Sequence, residues 1–170
     1  MDNPLLFRFK DYVNNNYKNS ALTVSMICYG IGCSKTCLHE LLKYRCGCSI
    51  MEYVENYRIM KSIELILSGT RKVHLHIGYK TSAAFSKAFL TITGFHSSCF
   101  YAVELNEYEV IISEAYNIAI ESPKKAVQFV INDSTMIDIL SENRKMLFNK
   151  TKNSLNKKIK PKIEKANIRN

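Results

Sequence analysis

Apolar residues recur at three-to-four spacing along most of this chain, the period of an amphipathic helix. Leu5, Leu6, Phe9, Tyr12 and Val13 predict a first helix over 4–17, with Asn3 as its cap and Pro4 in its first turn. Val24, Ile27 and Cys28 predict a short second helix behind Thr23, broken by Gly30 and Gly32. Leu38, Leu41 and Leu42 form the inner side of a third, about 35–44, capped by Ser34 and stopped by Gly47. Ser49-Ile50-Met51-Glu52 is a capping-box pattern, a Ser hydroxyl and a Glu carboxylate exchanging bonds with backbone donors. It opens a long helix over 50–67, with Tyr53, Tyr57, Ile59, Met60, Ile63 and Ile66 inward. Phe85, Ala88, Phe89 and Ile92 mark another over 82–92, ended by Gly94.

Beyond this point turn signals thin out, because all six Gly lie between 30 and 94. Residues 101–121 are helical by pattern, through Val103, Val110, Ile111, Tyr116 and Ile118. Residues 124–131 fit a helix or a strand, and 135–148 fit a last amphipathic helix. From Asn149 the chain is rich in Lys and Asn with isolated apolar residues, a composition that predicts loss of order. The fold class expected is all-α.

The order short helix, Gly turn, capped helix occurs twice, around 23–44 and 70–92, with the long helix between the copies. Two helices joined by a tight turn make a helix-turn-helix unit, whose second helix fits a major groove.

At this point the residues resemble a known family. Leu22 to Lys43 (LTVSMICYGIGCSKTCLHELLK), Gly47 to Leu67 (GCSIMEYVENYRIMKSIELIL) and Ile77 to Tyr101 (IGYKTSAAFSKAFLTITGFHSSCFY) are similar to the DNA-binding domain of AraC/XylS-type transcription regulators. Gly78, Tyr79, Phe85, Lys87, Phe89, Thr93 and Gly94 stand where the family's second-unit pattern wants them. The resemblance covers residues 21–101 and implies two helix-turn-helix subdomains joined by a long central helix. It implies a sequence-specific, bacterial, activator-type regulator that places two recognition helices in adjacent major-groove segments. Lys35, Thr36, His39 and Lys43 of the first unit would then face DNA, with Lys80, Thr81, Ser82, Ser86 and Lys87 of the second. Lys and Thr reach phosphates or base edges by ordinary hydrogen bonds.

The departures bear on function. The segment between Leu67 and Ile77 is about three residues shorter than is usual in the resembling family, judged by motif spacing, and the proline of its closing turn is absent near Ser97. Glu40 stands where Arg is common; a carboxylate repels phosphate and accepts only from a base donor such as cytosine N4. Ala83 and Ala84 replace larger side chains. These features support an alternative, a degenerate member that binds and modulates another regulator. A nonspecific nucleic-acid binder is a third reading.

Charge divides the chain. Residues 1–100 carry +6, residues 101–143 carry −6 and residues 144–170 carry +9. The division suggests a DNA-binding domain over 1–100, an acidic helical extension over 101–148 and a basic tail over 149–170. Leu105, Ile112, Ala119, Val127, Val130, Ile137 and Leu140 are available for burial in the extension. It would brace the domain, dimerise the chain or engage a partner such as RNA polymerase. Lying instead on the protein's own basic surface, it would weaken DNA binding, and residues 1–100 alone would bind more tightly. The tail would add nonspecific phosphate attraction.

Other chemistry is sparse. Cys28, Cys33, Cys37, Cys46 and Cys48 fall close together, but Cys46-x-Cys48 is too tight for the usual zinc hairpin. His74 and His76 would share a side on a strand, with nothing nearby to complete a metal site. No Walker-type loop, G-x-S-x-G or H-E-x-x-H occurs, so neither an enzyme nor a cofactor is expected. No 18-residue apolar run and no leader-like start are present, so the expected location is cytoplasmic, away from membranes. With residues 1–20 ahead of the first unit, a small-molecule effector is not implied.

Overall fold

A computed structural model describes residues 3–101, 103 and 109–167. Among them the secondary structure is helical, with no strand. The order is α1 (Pro4–Asn16), α2 (Val24–Ile31), α3 (Lys35–Cys46), α4 (Ile50–Leu67), a single 3-10 turn (Val73–His76), α5 (Ser82–Thr93), α6 (Ser97–Phe100), α7 (Glu109–Glu121), α8 (Pro123–Asn132) and α9 (Ser134–Asn167).

The caps that end these helices are the ones the side chains dictate. Asn3 accepts from the amides of Leu5 and Leu6 at 2.9 and 3.3 Å, with Pro4 following where its missing N–H costs nothing. Ser49 accepts from Glu52 at 3.2 Å, and the Glu52 carboxylate accepts from the Ser49 amide at 2.9 Å, closing the capping box. α2, α3 and α5 each end on a left-handed Gly or run into one: Gly32, Gly47 and Gly94.

Two apolar cores flank α4. The first joins α1, α2, α3 and the start of α4 through Phe9, Val13, Leu22, Ile27, Ile31, Leu38, Leu42, Tyr53 and Val54. Phe9 meets Tyr53 edge-on, ring centroids 4.8 Å apart. The second gathers Ile59, Ile63, Ile66, Ile77, Phe85, Phe89 and Phe100 with the extension's Ala119, Ala126, Val127, Val130, Met136 and Leu140. α8 lies along α4, and α7 pairs with α8. The extension is therefore built into the second unit's core rather than appended to it.

The second half of the chain differs in detail from the pattern. The helix expected over 101–121 begins at Glu109; Leu105 lies outside the described residues. The ambiguous 124–131 is helix, because Ser122 caps it, accepting from Lys125 at 3.4 Å, and Pro123 opens it. Ala119, Val127, Val130 and Leu140 are buried and Ile112 half-buried, whereas Ile137 and Val110 are exposed. The α9 backbone is helical through 149–167, a stretch that includes Pro161, which has no amide proton to donate.

Candidate nucleic-acid interface

α3 and α5 are near-copies of one device. Ser34 caps α3, accepting from the Cys37 amide at 3.2 Å. Thr81 caps α5, accepting from the Ala84 amide at 3.2 Å. Each helix is 12 residues long and closes on a left-handed Gly, Gly47 with φ 66° and Gly94 with φ 75°. Leu38 and Leu42 anchor α3 inward, and Phe85 and Phe89 anchor α5 at the same register. The opposite face of each is consequently set in register as well.

That face carries the expected residues. Lys35, Thr36, His39 and Lys43 are exposed on α3. Lys80, Thr81, Ser82 and Lys87 are exposed at α5 and Ser86 is half-buried. The Thr81 hydroxyl oxygen already accepts the cap bond, which leaves its proton for an outside acceptor. In the shared register Lys35 corresponds to Ser82, Thr36 to Ala83, His39 to Ser86, Glu40 to Lys87 and Lys43 to Leu90. Glu40, Ala83 and Ala84 are exposed too. The α3 face is thus the richer in donors, and the α5 face is smaller and smoother. Among the described residues, no acidic side chain of the extension pairs with Lys35, Lys43, Lys80 or Lys87; the ion pair present is Lys61–Glu64 at 3.3 Å, within α4.

The second unit keeps its outward helix although its leading helix is reduced. Between α4 and α5 only the turn at Val73–His76 remains, entered through Lys72 with φ 52°. His74 is half-buried and His76 exposed on this turn, so they do not alternate along a strand. No group of three or more His, Cys, Asp or Glu among the described residues is arranged to hold a metal ion. Cys28, Cys48 and Cys99 are buried free thiols, Cys33 and Cys46 half-buried, and Cys37 exposed. Burial pushes the Cys48 thiol up to about 11, with Cys46 and Glu52 adding to the shift.

Four residues that hold this geometry escape the periodicity argument. Arg58 is buried on α4; its Nε donates to the Tyr17 carbonyl and its Nη2 to the Asn19 carbonyl, each at 2.8 Å. Its guanidinium lies 5.7 Å from the centre of the Tyr79 ring. Burial lowers the Arg58 pKa, while Tyr79 and Glu55 oppose the shift. Gly78, φ 80°, sits against this guanidinium: an added Cβ would come within 2.4 Å of the Tyr17 carbonyl oxygen. In the extension, Asn143 donates to the Cys99 carbonyl at 3.0 Å, and Arg144 donates to the Gly94 carbonyl. A charged residue inside the apolar stripe of α4 is the one signal that pointed to Arg58.

Among solved structures the chain is similar to the C-terminal domain of AraT, a response regulator from Geobacillus stearothermophilus, at 25% identity and a TM-score of 0.56. The likeness covers 62% of this chain and 91% of that one. No protein-family model and no curated protein matches the sequence. No helix among the described residues is long and apolar enough to cross a membrane. The fold is an all-α helix-turn-helix arrangement of the kind carried by a response regulator's domain.

Proposed function

We propose that this chain is a sequence-specific DNA-binding transcription regulator of the AraC type, acting as an activator in bacteria. α3 and α5 enter successive major-groove segments on one side of the duplex. The observation that carries this reading is the repeat of one capped, outward-facing helix on both sides of a shared α4. Lys35, Thr36, His39 and Lys43 supply the first set of contacts, and Lys80, Thr81, Ser82, Ser86 and Lys87 the second. The partners are duplex DNA, RNA polymerase, and a second copy where the target is a repeated site. The exposed aromatics Tyr29 and Tyr44 of the first unit offer a surface for the protein partners.

The test is retention of fragmented genomic DNA by the full chain at about physiological salt with excess competitor, followed by sequencing. A motif of two half-sites about one helical turn apart supports use of both units. One half-site means that α5 does not read bases. Loss of specific retention favours a second reading, a modulator that binds another protein, for which exposed Glu40, Ala83 and Ala84 are the supporting observation.

A further inference from the structure

We propose that α9 is the brace that orients α5 on DNA, and that Asn143 and Arg144 are its positioning residues. The inference rests on the DNA-binding reading above and assigns part of its specificity to the C-terminal extension.

Two supports of a helix-turn-helix unit are weak here. The stretch ahead of α5 is a single 3-10 turn, too short to lie along α5 as a full helix does. The turn after α5, residues 94–96, holds no proline to stiffen it. Internally that turn depends on Thr93, whose hydroxyl donates to the Phe89 carbonyl at 2.8 Å and accepts from the Phe95 amide at 3.1 Å. The Gly94 amide bonds back to Leu90. Among the described residues, the carbonyls of Gly94 and Cys99 have no helical donor ahead of them, because α5 ends before one and the other lies in the four-residue α6.

The extension supplies both donors from adjacent residues. Asn143, 5% exposed, gives its amide N–H to Cys99. Arg144 gives a guanidinium N–H to Gly94, and its guanidinium carbon sits over the Phe95 ring, 4.8 Å from the ring centre. Behind them Met136 and Leu140 are buried in the core that holds Phe85 and Phe89. α9 thus holds the turn at the C-terminal end of α5 with polar bonds, and packs on α6 and α8, which in turn pack on α5. Thr81 fixes the other end. An angular error at Gly94 would swing Lys87 and Ser86 away from the groove while leaving α3 in place. α3, which carries Lys35, Thr36, His39 and Lys43, is anchored through Leu38 and Leu42 in the separate first core, which holds no residue of α9 among those described.

The experiment uses the full chain with Arg144→Gln, Arg144→Lys and Asn143→Leu, on the DNA that the unaltered chain selects. Hydroxyl-radical footprints read each half-site separately, and urea unfolding confirms that each variant is folded. The α3 half-site is expected to keep its protection. The α5 half-site is expected to need at least about 10-fold more protein for Arg144→Gln, an energy of about 1.4 kcal/mol. Arg144→Lys is expected to recover part of this, since Lys donates to Gly94 but has no plane to stack on Phe95. Equal weakening of both half-sites, or unchanged footprints in folded variants, overturns the proposal. If the unaltered chain selects no DNA, the functional reading fails by itself. The brace is then judged by amide exchange of Thr93 and Gly94, which is expected to speed at least about 10-fold in Arg144→Gln; an unchanged rate overturns it.

Discussion

Replacing Arg58 is the sharpest perturbation of this architecture, because one buried guanidinium ties three segments together. It holds the Tyr17 and Asn19 carbonyls of the α1–α2 loop and stacks near Tyr79 at the entrance to α5. Opposing terms set the magnitude. A hydrogen bond to a charged group contributes about 1.5–3 kcal/mol, so two contribute about 3–6 kcal/mol. The ring contact adds about 0.5–1 kcal/mol. Against these stands the desolvation of a cation that is 7% exposed and, among the described residues, has no carboxylate bonded to it, seen also in its lowered pKa. Asn19 is exposed, so its carbonyl regains water when the guanidinium is lost; Tyr17 is only half-exposed. The net cost expected for Arg58→Met, which keeps the apolar stem, is about 2–4 kcal/mol. Arg58→Lys reaches one carbonyl and not both, and is expected to fall between Met and the native chain. Urea unfolding followed by far-UV circular dichroism and tyrosine fluorescence measures this; the ten Tyr and absence of Trp make the tyrosine signal usable. An Arg58→Met chain as stable as the native one, or more stable, refutes the reasoning. Desolvation would then outweigh both bonds.

Other expectations follow from the same geometry. The Tyr79 hydroxyl is buried without a hydrogen-bond partner among the described residues, and burial pushes it up to about 12; Tyr79→Phe is expected to leave stability within about 0.5 kcal/mol or raise it, read by the same urea titration. Ser49→Ala is expected to cost about 1 kcal/mol by opening the cap of α4, measured by thermal unfolding. The bonds from Ser49 hold the Glu52 carboxyl below the usual carboxylate range, so its stabilisation is present at neutral pH and fades as pH falls through the folded value. Glu52→Gln is accordingly expected to flatten the acid limb of a stability-against-pH curve, and an unchanged limb counts against the box. A chain cut after Phe100 is expected to lose the second unit, because buried Val127, Val130, Ile131, Met136 and Leu140 each contribute about 1.5–3 kcal/mol. Calorimetry would show one smaller transition, and DNA affinity would fall rather than rise.

The first hundred residues are legible in the sequence because their helices are short, capped and punctuated by Gly. Asn3, Thr23, Ser34 and Ser49 act as caps where the pattern places them, and Leu38, Leu42, Phe85 and Phe89 point inward at the expected register. The outward faces follow, since the side of a helix left over from its apolar stripe meets solvent. What periodicity hides is the partner of each stripe. α4 buries Ile50, Tyr53, Val54, Ile59, Met60, Ile63, Ile66 and Leu67, which leaves it apolar nearly all round. A helix of that kind needs neighbours on every side. Two helix-turn-helix units cover part of α4, so its sequence already demanded a further layer, and α8 is that layer.

The same reasoning recasts the departures in the second unit. A shortened approach to α5 and a turn without proline read as decay when each is weighed alone. Yet α5 is formed, capped by Thr81 and aligned in register with α3. Helix propensity cannot account for this, because a 12-residue helix that includes Phe85, Phe89, Thr91, Ile92 and Thr93 is marginal by itself. Its order must come from packing, and the packing comes from α4 on one side and from α6 and α8 on the other, all within one apolar core. The acidic segment is therefore the element that lets a shortened unit keep its outward helix. Selection on the extension and on the α5 face should then act together: residues 123–144 determine whether Lys80, Ser82, Ser86 and Lys87 stand where a groove would meet them.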